Sequence, residues 1–109
     1  MTDMEQGQLD LIFKALSDQV RRDVLKKLTN GPLAINELAA PYDMSLPAVS
    51  KHIKVLERAS LISCTKIGRT QYCQIKSGSI YKVDRWLTFY RDFWEQKLDN
   101  LEAFALENK

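Results

Sequence analysis

The chain is short of several residues on which common functions depend. It has two cysteines, one histidine, four glycines and three prolines in 109 residues. Two cysteines do not make the disulfide framework of a small secreted domain. One isolated histidine cannot build a metal site, and no base–nucleophile spacing accompanies it. The four glycines are scattered and form no phosphate-cradling loop. No apolar run approaches the length of a membrane span. No linker, low-complexity tract or internal repeat divides the chain. Met1 to Gln8 is acidic and polar, the wrong chemistry for a secretory leader, so the expected address is the cytoplasm. These absences leave nothing from which to assemble an enzyme site, and no metal, cofactor or membrane is expected as a partner.

What is present is ordinary in bulk: 45% hydrophobic and 28% charged residues, as in one soluble globular domain, taken here as 1–109. A chain of this size buries a modest core, so a partner subunit would help it. The net charge of +2 says little, but its distribution is informative. Between Ser45 and Lys76 there are six basic residues (Lys51, Lys54, Arg58, Lys66, Arg69, Lys76) against one acid, Glu57. That segment carries +5 and the remainder −3. A single basic segment is the electrostatic footprint of a nucleic-acid surface, although charge alone fits a solvated face equally well.

Hydrophobic periodicity predicts four helices, a β-hairpin and one long helix. Leu9, Ile12, Phe13 and Leu16 share one face of a helix over Gln8–Leu16. Ser17 or Asp18 can cap the next, Asp18–Thr29, whose stripe is Val20, Val24, Leu25 and Leu28. Asn30-Gly31-Pro32 stops it. A short helix, Ile35–Ala40, turns Ile35, Leu38 and Ala39 inward and ends at Pro41. Ser45 then caps a stronger helix that runs to Ala59, with Pro47 early, where a missing N–H costs nothing. Helix, short turn, helix is the sequence form of a helix-turn-helix.

The Ser45–Ala59 helix has two faces. Val49, Ile53 and Leu56 point to the core, and Pro47, Ser50, Lys51, Lys54 and Arg58 fall opposite at 100° per residue. A major-groove helix needs this apolar back and polar front. Ser50 and Lys51 are placed to meet base edges. Lys54 and Arg58, further from the tip, suit phosphates, and Ser45 at the helix N-terminus is a phosphate anchor. His52 lies on the flank, either bonding locally or touching a phosphate. An ordinary amphipathic helix remains the bland alternative.

Two alternating runs, Leu61–Ile67 and Thr70–Ile75, flank Gly68-Arg69, a glycine-first hairpin turn. This register sets Ile62 against Ile75 and Cys64 against Cys73, all four facing inward. The wing spans about 61–76. Lys66 and Arg69 sit towards its tip, either along DNA or in solvent. The opposed cysteines are either small buried hydrophobes or a thiol pair. From Ile80 to Leu106 no glycine or proline interrupts a wide aromatic stripe. Trp86, Phe89 and Phe93 make one row, and Leu87, Tyr90, Trp94, Leu98, Leu101 and Ala105 an adjacent one. A lone surface helix does not carry so much apolar surface, so a second copy of the chain is expected against it, with Leu9 and Phe13 joining the interface.

The stretches KALSDQVRRDVLKKL, INELAAPYDMSLPAVSKHIKVLERASLI and KIGRTQYCQI resemble the arsenical-resistance repressor (ArsR/SmtB) family of winged-helix regulators. The resemblance covers roughly Ile12 to Ile75. It implies a mainly helical winged helix-turn-helix with a small hairpin, a homodimer formed by the first and last helices, and a palindromic operator in double-stranded DNA. The matching recognition positions are Ser45, Pro47, Ser50, Lys51 and His52, with Lys54 behind them and Arg69 on the wing. Metal-sensing members carry a cysteine pair after Glu37-Leu38, where this chain has Ala39-Ala40. Others carry Asp/His ligands along the last helix, which here has neither histidine nor cysteine. The last helix is similar instead to the aromatic-rich tail of members that do not sense metals. A repressor is thus the leading expectation. A thiol- or ligand-responsive regulator using Cys64 and Cys73, and a winged-helix protein–protein adaptor, are the alternatives.

Overall fold

Local chemistry sets most of the element boundaries. The computed structural model describes residues 3–107. Residues 1–2 and 108–109, the ends of the expected 1–109 domain, lie outside the described residues. In order come α1 (Asp3–Leu16), α2 (Gln19–Leu28), β1 (Leu33–Ala34), α3 (Ile35–Ala39), α4 (Leu46–Arg58), β2 (Ile62–Ile67), β3 (Thr70–Ile75) and α5 (Gly78–Glu107). Asp18, not Ser17, caps α2: its carboxylate accepts from the Arg21 N–H at 3.1 Å. That bond, with the nearby Arg21 charge, outweighs partial burial and holds the Asp18 carboxyl below its usual range.

The far end of α4 closes with an unusual residue. Ser60 takes φ 57°, its N–H bonds the Glu57 carbonyl at 2.9 Å, and the Leu61 N–H bonds the Leu56 carbonyl at 3.1 Å. This is a Schellman closure, with Leu56 and Leu61 both buried beneath it. The position normally favours glycine, because a Cβ crowds the left-handed backbone.

The expected order of helices and hairpin is present with one addition. β1, two residues long, pairs antiparallel with β3 and makes a three-stranded sheet of order β1-β3-β2. The hairpin register is the expected one, Ile62 to Ile75 and Cys64 to Cys73, and Gly68 supplies the positive φ of 64° at the turn. Ile75, expected to face inward, is a correction: at the end of the sheet it remains partly in water. Ile12, Val24, Leu38, Val49, Ile53, Leu56, Leu61, Ile62 and Cys73 form the core. Ser79, buried at the start of α5, donates to the Ala59 carbonyl at 2.7 Å and accepts from Gln8. It ties α1, the end of α4 and α5 together.

The remainder of α5 leaves the core. The radius of gyration is 19.0 Å and the longest extent 68 Å, against about 13 Å for a compact chain of this length. The accessible surface, 8089 Å², exceeds the roughly 6,200 Å² expected of a monomer this size. From Phe89 to Leu106 every residue of α5 is exposed, including Phe93, Trp94, Leu98 and Leu101.

Candidate nucleic-acid interface

The site begins at the N-terminus of α4. Ser45 is in extended backbone, and its hydroxyl accepts from the Ala48 N–H at 3.2 Å. The hydroxyl hydrogen remains free to donate outward. Pro47 occupies the first turn. Val49, Ile53 and Leu56 are buried and fix the rotation of the helix. Lys51, Lys54 and Arg58 are therefore exposed, and Ser50 is half-buried.

Ser50 borders a cleft shared with the wing. A cleft of about 360 Å³ is lined by Ile35 and Asn36 of α3, Leu46 and Ser50 of α4, and Lys66, Arg69, Thr70 and Gln71 of the hairpin. Of the residues picked out from the sequence, Ser50, Lys66 and Arg69 share this cleft. Ser45, Pro47, Lys51, Lys54 and Arg58 lie in the open along α4. Among the described residues, Lys51, Lys54, Arg58, Lys66 and Arg69 form no ion pair. Five uncompensated cations on α4 and the wing create a positive surface available to an anionic partner. Leu46, Asn36 and Gln71 were not picked out from the sequence. Leu46 stands one turn before Ser50, so i, i+4 spacing was the available signal.

His52 has local partners. The Arg21 guanidinium reaches the Lys14 and Ala15 carbonyls at 2.8 and 2.7 Å, and its third contact is His52 Nδ1 at 3.1 Å. Arginine only donates, so Nδ1 is the accepting nitrogen and Nε2 carries the hydrogen. Asp18 lies 3.8 Å from the same Nδ1. Arg22 adds a bond to the Leu16 carbonyl at 2.7 Å. Two arginines of α2 thus satisfy the open carbonyls at the end of α1, and one of them, Arg21, also bonds α4 through His52. Nothing in the sequence pattern announced this link, which spans 31 positions from Arg21 to His52.

The Cys64 and Cys73 sulfurs lie 3.2 Å apart as free thiols. Burial pushes the Cys64 thiol well above its ordinary value, and the adjacent Cys73 and Glu57 push it further. Burial raises Cys73 as well, its hydrogen bond with Cys64 offsetting part of the rise. Among the described residues no three His, Cys, Asp or Glu side chains gather into a metal site, and no helix is long and apolar enough to cross a membrane.

The expected interface residues divide into two groups. Leu9 is 5% exposed and belongs to the protomer's own interior, which corrects its assignment to a partner contact. Trp86 is half-buried, its ring 5.1 Å from Phe13 and 4.6 Å from Tyr90. Phe13, Leu87, Tyr90, Phe93, Trp94, Leu98 and Leu101 remain in water.

A family model described as a helix-turn-helix domain matches residues 16–65. The chain is 41% identical over 66 residues to the HTH-type transcriptional regulator Rv2034 of Mycobacterium tuberculosis, covering 61% of this chain and 62% of that protein. The match thus spans less than two thirds of that relative's length. It is 32% identical to an arsenical resistance operon repressor of Staphylococcus aureus, over 66% of this chain and 69% of that one. A crystal structure of an ArsR family transcriptional regulator superposes with a TM-score of 0.79 and 42% identity, over 83% of this chain and 93% of the other. The homodimeric winged helix-turn-helix DNA-binding domain of a Mycobacterium bovis protein shares the fold, with a TM-score of 0.62, 22% identity, and coverage of 92% and 93%.

Proposed function

This chain belongs to the ArsR family of winged helix-turn-helix transcriptional regulators, and we propose that it is a sequence-specific DNA-binding repressor. One observation carries the reading: the start of α4 and the basic hairpin tip line one cleft with Lys66 and Arg69, next to Lys51, Lys54 and Arg58 along α4, and among the described residues none of these five cations forms an ion pair. Ser50 and Lys51 meet base edges in the major groove. Ser45, Lys54 and Arg58 grip phosphates, and Lys66 and Arg69 follow the backbone beside the wing. His52, held at Nδ1 by Arg21, keeps an Nε2 hydrogen to donate to a phosphate. Two copies pair through the apolar surface of α1 and α5. The operator is then palindromic, with half-sites about one helical turn apart. Bound there, the dimer blocks transcription from cytoplasmic DNA.

A footprint on the region upstream of its own gene tests this. Two protected patches about one turn apart are expected, and protection that is uniform or absent would refute the reading. The cysteine pair favours a second reading, a thiol-responsive wing, because its sulfurs are 3.2 Å apart. Joining them would transfer two electrons to an oxidant such as a low-molecular-weight disulfide, itself released as two thiols. The raised thiols make that exchange slow, since the thiolate is the attacking form. DNA affinity unchanged by oxidised glutathione, in the wild type and in Cys64→Ser alike, would leave the pair as packing.

A further inference from the structure

Leu46 has no role in the core. It is 47% exposed at the first position of α4. The other large apolar side chains left in water lie on α1, on α5 or on the hairpin strands. Leu46 instead borders the cleft shared with Asn36, Ser50 and Gln71. It lies one turn before Ser50, so the two side chains share a face. Side chains of a helix lean towards its N-terminus, which carries Leu46 beyond the first turn, the part of a recognition helix that contacts base edges.

A leucine at that tip can satisfy no donor or acceptor. Pressed against a polar base edge it would strip water and return no hydrogen bond. The major groove offers one apolar group, the C5-methyl of thymine. We infer that Leu46 is a specificity-determining residue that selects a thymine in each half-site by packing on its methyl group, beside the base met by Ser50. This inference rests on the DNA-reading proposal and adds a named base preference to it.

Deoxyuridine tests it, because replacing thymine with uracil removes the methyl and leaves pairing intact. Within the footprinted operator, thymines are replaced one at a time and affinity is measured by anisotropy. At one position, repeated by symmetry in both half-sites, the wild type should lose about four-fold per half-site, the size of one buried methyl group. The same replacement should change Leu46→Ala affinity by less than about 1.5-fold, within the scatter expected of an uncoupled pair. Leu46→Gln should move the preference at that position from thymine to adenine, which an amide reads at N6 and N7. Specific binding that is indifferent to every methyl, or equally sensitive in wild type and Leu46→Ala, overturns the inference alone. Absence of any sequence-specific binding overturns it together with the proposal beneath it.

Discussion

Ser50, Lys51 and Lys54 occupy one surface of α4 but differ in distance from its tip. Ser50→Ala or Lys51→Ala should reduce discrimination between the operator and a one-base variant by about five-fold or more, as loss of a base contact does. Lys54→Ala should weaken all duplexes alike and lower the salt slope by about one. Competition anisotropy separates the two, and an unchanged preference in Lys51→Ala would show that this residue touches phosphate only. Cys64 and Cys73 give a pH-dependent prediction. Both thiols are raised by burial, so the folded protein should alkylate with iodoacetamide at pH 8 more than about ten-fold slower than the unfolded chain. Its rate should continue to climb with pH after that of the unfolded chain has levelled. Equal rates, followed by mass spectrometry, would mean that the wing opens readily.

At the scale of elements, the α4 closure invites a stabilising change. Ser60 holds φ 57°, where an L-residue costs roughly 1–2 kcal/mol, partly offset by glycine's larger entropy when unfolded. Ser60→Gly should therefore raise stability by about 0.5–1 kcal/mol and the melting temperature by about 2–6 °C. A lower melting temperature would mean that the serine side chain holds the turn. The elements themselves were largely legible. Caps at Asp18 and Ser45, the stop at Asn30-Gly31-Pro32 and the Gly68-Arg69 turn are chemical signals confined to a few adjacent residues. What escaped is what sequence patterns do not carry. β1 is two residues long and shows no alternation. The first turns of α1, Met4 to Gly7, have no apolar period, so the helix starts five residues earlier than expected. Leu46 was not picked out, although its i, i+4 spacing to Ser50 was the signal available. The Arg21–His52 bond joins residues far apart in sequence. Leu9 was misplaced because periodicity marks an apolar face without saying whether the chain or a partner covers it.

For the whole molecule, the protruding α5 decides the assembly. Its surface is about 1,900 Å² more than a monomer of this size should expose, enough for the ~800 Å² per partner of a stable interface. Trp94→Glu or Leu98→Glu changes residues outside the protomer core. Either variant should sediment at half the wild-type mass at micromolar concentration and keep the wild-type circular dichroism. A wild type that remains monomeric would contradict the dimer. The proposed DNA-reading dimer is tested most directly by one measurement. It is the anisotropy of the wild-type protein on its own upstream duplex and on a scrambled duplex of equal length, at about 150 mM salt. Binding to the upstream duplex about 10³-fold tighter or more, and weakening steeply as salt is raised, is the predicted result. Equal affinity for the two duplexes would contradict it.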